Sequence, residues 1–416
     1  MNTINAPKLP LPPPLSGRFE SSFAHFTVIQ RMPRIGRETL AENDFPPATV
    51  ERLEALIAGI PAQSVRRLQD PEAPDLAEWE DYVQPHLGAN WLEVPWFFAE
   101  EYFYRRMLEA SGYFQRGPTW QLDPFASQKQ KILRFSQRAI LASGGTLDRA
   151  ISVENMNNEA QWEILYRLVL RSAWGNQGDL SIWSLEEERP DHDQIDLQEV
   201  HLAINQATGL TDFILNGKPL ARIDLILDNC GPELIGDLGL ADYLLSAGLA
   251  QAVRLHAKAH PTFVSDALIK DIHQTIEYFN SFPDSHVQAW AQRLARQITE
   301  GQLQMTQDFF WNSPRFLWEM PERLRKELAT ASLVISKGDA NYRRLVGDFY
   351  WDPTTPFADV VGYFPAPLAV LRVLKAELVI GLPEGKAGEV SKSDPDWMVN
   401  GNWGVIHFLP LSRKVF

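Results

Sequence analysis

Four oxygen-bearing side chains and three basic ones recur at the ends of apolar runs in this 416-residue chain: Asp228, Asn229, Asp266 and Asp339, and Lys337, Arg372 and Lys375. Two carboxylates and an amide oxygen make a hard, oxygen-only shell for a divalent cation, with positions left for water and substrate oxygens. Lysine and arginine cannot ligate that ion. They would instead neutralise a phosphate, arginine through forked hydrogen bonds and lysine as a point charge. A cation clamp beside a metal implies phosphoryl chemistry, where positioning and charge neutralisation supply most of the catalysis. The plainer alternative makes the acids helix caps and the bases their ion-pair partners.

The elements that must position these groups read as an α/β core. In Arg222–Ala250, RIDLILDNCGPELIGDLGLADYLLSAGLA, the residues from Ile223 to Asp228 suit a buried parallel strand ending on Asp228-Asn229. Gly231 and Pro232 turn the chain into a helix, with Pro232 at its first position and Glu233 in its first turn. Leu234, Leu238, Ala241 and Leu245 have the spacing of a face turned to the sheet. Further strands are expected at Gln251–Ala257, at Ala331–Ser336 before Lys337-Gly338-Asp339, at Ala369–Leu382 carrying Arg372, Lys375 and Glu377, and at Trp403–Leu409. PTFVSD, Pro261 to Asp266, ends on its acid, and Asp212–Leu220 reads as a hairpin or short strand around Asn216-Gly217. Ligands of open α/β sheets bind at the carboxyl ends of strands, so these polar ends should share one edge. Charged groups inside the Ala369–Leu382 run imply pairing or a polar pocket.

The first half reads as helical. Pro47–Ile60, Trp96–Ser111, Gln128–Ala142 and Ser152–Arg171 carry helical spacing, and the aromatic stripe of Trp96, Phe97, Phe103, Tyr104 and Met107 reads as core. Arg105 and Arg106 are expected to pair with nearby acids. Trp174–Ser181 is a Gly-rich polar break in which Asn176 and Asp179 read as caps, and acidic Glu186–Asp196, with His192, reads as a solvated loop. Proline-dense Pro7–Pro14 reads as an extended, poorly ordered lead-in. The expected division is a lead-in at 1–20, a helical subdomain at 21–210 and an α/β catalytic core at 211–416.

A formal charge of -14 argues against a broad nucleic-acid or anionic-membrane surface, so an anionic substrate must meet a few concentrated cations. The single cysteine, Cys230, excludes an intramolecular disulfide and a thiolate metal cluster. No apolar run has the length of a membrane span and the first residues lack the layout of a secretory signal, which points to the cytoplasm. Neither G-x-G-x-x-G, G-x-x-x-x-G-K-[ST] nor G-x-S-x-G occurs at a fitting place.

LDNCGPELIGDLGLADYLL, FVSD, KGDANYRRL, LRVLKAELVIGL and WGVIHF, with WFFAEEYFYRR, DPFASQKQ and WGNQGDLS in the first half, resemble the damage-control phosphatase family, formerly domain-of-unknown-function family 89. The likeness is to its third subfamily, which includes the acidic-residue methyltransferase-like proteins. It implies a three-layer α/β/α core with a mainly parallel sheet behind a helical N-terminal part. It also implies a phosphatase using manganese, cobalt, nickel or magnesium on sugar phosphates such as fructose 1-phosphate or fructose 6-phosphate. Carried over residue by residue, Asp228, Asn229 and Asp266 would be metal ligands, Glu233 a pocket residue, Asp339, Asn341, Tyr342 and Arg343 the substrate loop, and Lys375 the phosphate lysine. The subfamily's R-T-x-K reads Arg372-Val373-Leu374-Lys375, so the threonine hydroxyl is missing. The rivals are an S-adenosylmethionine-dependent protein carboxyl methyltransferase, which would work in chelator, and a sugar-phosphate sensor that binds without hydrolysis.

Overall fold

A computed structural model describes residues 7–152, 157–175 and 199–410. Asn176, Asp179 and the acidic Glu186–Asp196 stretch with His192 lie outside them. Seven strands form one sheet in the order β1-β7-β6-β5-β2-β3-β4. They are β1 (Leu202–Asn205), β2 (Ile223–Ile226), β3 (Val253–Lys258), β4 (Leu303–Asp308), β5 (Leu333–Lys337), β6 (Leu368–Val373) and β7 (Gly404–Leu409). Every neighbouring pair is parallel except β6 and β7.

Alternate residues of the central strands feed two apolar layers, as a sheet covered on both faces requires. Leu333 and Ile335 pack with the Pro232–Ser246 helix, while Val334 packs with Tyr342 and Leu345 on the other face. Leu234, Leu238, Ala241 and Leu245 all enter the first layer. A third cluster, around Trp79, Trp91, Tyr102 and Phe103, belongs to the helical part.

Several expectations change. Residues 207–217 form a helix, Ala207–Gly217, rather than a hairpin, because Ala207, Leu210, Thr211 and Ile214 bury one helical face and Asn216-Gly217 merely ends it. β6 stops at Val373 instead of running to Leu382. The Arg372 guanidinium donates to the carbonyls of Leu378 and Ala376 and curls the chain back, which leaves Lys375 on a loop. The edge strands β1 and β4 are additional, and β1 lies before residue 211, so the sheet starts within the stretch assigned to the helical part. The lead-in is pinned: Leu15 is buried, its N–H donates to Asp348 O at 2.8 Å, and its carbonyl accepts from Trp96 N at 2.8 Å. No helix among the described residues is long and apolar enough to cross a membrane.

The chain order reverses between β2 and β5: β3 and β4 follow on one side, β6 and β7 on the other. Such a switch opens a crevice at the strand ends.

Candidate active site

Asp228 and Asn229 leave β2 at that crevice. They are held against the segment around Asp266, because Cys230 N donates to Ser265 O at 2.7 Å and Ala267 N donates to Asp228 O at 2.8 Å. The approach is tight enough that Phe263 and Val264 take left-handed backbone angles, φ 45° and 64°. Bulky residues adopt that region only where surrounding structure imposes it. The result is a hydrogen bond of 2.6 Å from Ser265 Oγ to Asn229 Oδ1, while Asn229 Nδ2 donates to Asp228 Oδ2 at 2.8 Å and Glu233 Oε2 at 3.1 Å. Two carboxylates on the nitrogen side fix the amide's orientation and direct its oxygen toward Ser265.

From β5 comes Lys337, buried, with Nζ 3.2 Å from Glu233 Oε1 and 2.9 Å from Asp237 Oδ1. Burial alone would drive its pKa down; Asp237 and Glu233 outweigh that and hold it above the ordinary lysine value. Removing one partner of a buried pair leaves charge uncompensated. Lys337→Met should therefore lose about 3 kcal/mol in denaturant unfolding, whereas removing the solvated Lys386–Glu389 pair should change it by less than about 1 kcal/mol.

Gly338 follows with φ 79°, and a Cβ there would stand 1.9 Å from Asp228 Oδ2. Asp339 comes next. Its Oδ1 accepts from Arg372 Nε at 2.8 Å and from Lys375 N at 3.2 Å. Arg372 is fully buried with its guanidinium 4.1 Å from the Tyr342 ring centroid, so its charge serves Asp339. The three charges expected in the Ala369–Leu382 run have different fates: Arg372 pairs with Asp339, Glu377 accepts from Phe23 N at 3.1 Å, and Lys375 lines a cavity.

That cavity is lined by Asp228, Asn229, Asp266, Asp339, Arg343 and Lys375 from the strand ends. The helical part and the turn before Asp266 add Arg31, Trp96, Glu100, Tyr104 and Phe263. Glu233, Asn341 and Tyr342 do not line it. Glu233 is spent on Asn229 and Lys337; Asn341 Nδ2 donates to the carbonyls of Leu227 and Lys337; the Tyr342 hydroxyl accepts from Ile380 N. Asn341 staples the end of β2 to that of β5, which is a positioning role. Arg343 is clamped by Asp348, with Nε 2.7 Å from Oδ1, and by Glu100. As expected, Arg105 and Arg106 pair with acids, Arg105 with Asp70 and Asp75 and Arg106 with Glu109. No motif or spacing in the sequence marks Arg31, Glu100 or Lys258. Helical spacing marks Trp96 and Tyr104 as core, and both are, yet one side of each borders the cavity.

A divalent cation fits the chemistry of this corner. Asp228 Oδ1 is buried with no hydrogen-bond partner among the described residues. Burial, then Asp266 and Glu233, push the Asp228 carboxyl well above the usual range, against the pull of Lys258 and Lys375. Lys258 meets Asp266 at 3.1 Å, so only part of this acidity is balanced. No group of three or more His, Cys, Asp or Glu side chains among the described residues could hold a metal. The set here is two carboxylates with one amide oxygen, a hard-cation shell that would be completed by water or substrate.

Comparison with known proteins adds a family. The description "Damage-control phosphatase ARMT1-like domain" matches residues 27–390. "Damage-control phosphatase ARMT1" of Danio rerio is 34% identical over a 443-residue alignment covering 97% of this chain and 98% of that protein. The Homo sapiens protein of the same name is 30% identical, with 96% and 98% covered. Among solved structures, a DUF89 family protein of Pyrococcus horikoshii is 15% identical with a TM-score of 0.46, over 92% of this chain and 98% of that one.

Proposed function

Since the chain belongs to the damage-control phosphatase ARMT1-like family and is a phosphatase, we propose that it hydrolyses phosphate monoesters of small polyhydroxylated metabolites, sugar phosphates such as fructose 1-phosphate or fructose 6-phosphate. The observation that carries this reading is the buried Oδ1 of Asp228, without a hydrogen-bond partner among the described residues, on a residue that lines the same cavity as Lys375. A cation at one end and an ammonium beside it suit a phosphoryl group, whose charge spreads over its equatorial oxygens in the transition state.

Asp228, Asn229 and Asp266 would hold a divalent ion, manganese, cobalt, nickel or magnesium, which when bound neutralises phosphoryl charge and lowers the pKa of water. Lys375 holds a phosphoryl oxygen. Its backbone is fixed by Asp339, which Arg372 fixes in turn. Arg372 therefore acts through position, and loss of the subfamily threonine hydroxyl at Val373 leaves that chain of contacts in place, because Val373 is buried in the apolar layer. The helical part supplies the wall opposite the strand ends, which limits bulk water around the reacting group. Hydrolysis forms one P–O bond as the ester P–O bond breaks, and the departing alkoxide takes a proton.

Inorganic phosphate tests the clamp. Lys375→Met should raise the inhibition constant for phosphate about 30-fold, the value of a charge-assisted contact in a buried site. Unchanged inhibition would remove Lys375 from the phosphate site. Labelled phosphate trapped on the protein would show an aspartyl-phosphate route; its absence with full turnover would favour direct attack by water.

A further inference from the structure

The phosphoryl end of the cavity does not use its remaining polar lining. Arg31 sits on a single π-helical turn, Thr27–Arg31, with Nη1 3.2 Å from Thr27 Oγ1 and its guanidinium 5.1 Å from the Phe23 ring centroid. Such turns are rare and concentrate at functional sites, because the extra residue re-aims a side chain. Glu100 comes from the first turn or so of the Trp96–Ser111 helix and is held by Arg343, whose guanidinium lies 3.8 Å from the Trp96 ring centroid. Trp96 is almost fully buried, and its indole N–H has no partner among the described residues. All three residues line the cavity that contains Asp228 and Lys375.

Charge decides what this lining can recognise. Arg31 and Arg343 are matched by Glu100 and Asp348, so the wall is close to neutral. A second phosphate or a carboxylate would gain little there, since nearby carboxylates cancel the attraction. The residues that line this wall carry a donor guanidinium, a donor indole and an acceptor carboxylate, which suit neutral hydroxyls. Tyr104 and Phe263, with ring centroids 4.9 Å apart, add apolar surface for carbon-bound hydrogens.

We propose that Arg31, Trp96 and Glu100 form a hydroxyl-reading subsite that selects a polyhydroxylated leaving group while the strand ends hold its phosphate. This rests on the phosphomonoester reading above and names what its other half recognises. A site built to bond a hydroxyl discriminates strongly against a substrate lacking one, because its own buried polar groups are then left unpaired.

The test compares fructose 1-phosphate with phenyl phosphate, which has the same phosphoryl end and no hydroxyls, in the full-length metal-loaded chain. Arg31→Met and Glu100→Gln should each lower the ratio of the two kcat/KM values about 30-fold. A ratio within about threefold of the parent's would overturn the subsite, because a general loss of packing reduces both substrates together. Thermal midpoints are recorded alongside. If Glu100→Gln does not fold, Arg31→Met decides alone. A parent protein that turns over phenyl phosphate but neither fructose ester would overturn the sugar-phosphate reading and this subsite with it, which separates that failure from the failure of the subsite by itself.

Discussion

Replacing Asp228 by Asn should reduce phosphatase turnover by on the order of a thousandfold while leaving the chain folded and, in chelator, more stable by about 1 kcal/mol. Both effects have the same origin. Asp228 is buried beside Asp266 and Glu233, and burial foremost, then those two carboxylates, raise its pKa above the ordinary 3.8. Between that value and its raised one, the folded chain holds a proton that the unfolded chain releases. Stability in chelator therefore falls as pH rises through this window, and Asp228→Asn should flatten the slope. The amide keeps an oxygen to accept from Asn229 Nδ2, a contact of 2.8 Å in the parent. Loss of cooperative unfolding in the variant would show that Asp228 is a structural cap. Retained turnover would remove it from the chemistry.

Gly338→Ala should have the second largest effect, through a residue that touches no substrate. A Cβ on Gly338 would stand 1.9 Å from Asp228 Oδ2 and 2.2 Å from its Cγ, and the backbone there is left-handed at φ 79°. The backbone term costs an alanine about 1–2 kcal/mol, and the clash must be relieved by moving Asp228 or the turn after β5. A total loss of about 3 kcal/mol or more follows. A misplacement near 1 Å in a catalytic group costs about a hundredfold in rate. Gly248→Ala separates the two terms, because Gly248 is also left-handed at φ 64° but a Cβ there meets nothing within 4 Å. That control should lose only the backbone term and keep full turnover. Equal effects at both glycines would mean that the contact with Asp228 does not matter.

Acids and bases at the ends of apolar runs were legible because parallel strands buried on both faces are nearly continuous in apolar residues, and each such run stops abruptly at a charge. Asp228 after β2 and Asp339 after β5 meet at the switch point for that reason. Lys375 arrives there by a different route. Its apolar surroundings, AVLRVLKAELVIGL, have the composition of a longer strand, and only Arg372 bonding back to Leu378 and Ala376 breaks the run after Val373. A side chain capturing carbonyls four and six residues ahead has no signature in periodicity.

Other features were hidden by ambiguity of pattern. Ala207–Gly217 contains Asn-Gly, a strong hairpin signal, but its burial has helical spacing and the pair simply ends the helix. The edge strand β4, LQMTQD, is half polar because one side lacks a neighbour, so it reads like loop. Arg31, Trp96 and Glu100 lie within helices whose apolar and aromatic residues already satisfy a core pattern. Contact with residues more than a hundred positions away is a property of tertiary structure that neither local propensity nor motif spacing encodes.

The claim that most needs testing is that two carboxylates and one amide oxygen bind a cation on which hydrolysis depends. Protein stripped with chelator should be titrated with manganese while bound metal per chain and phosphate release from fructose 1-phosphate are followed together. Turnover should be absent at the start, rise in step with bound metal, and saturate at about one ion per chain, with Asp228→Asn binding none at the same concentrations. Full hydrolysis by the stripped parent protein, before any manganese is added, would contradict it.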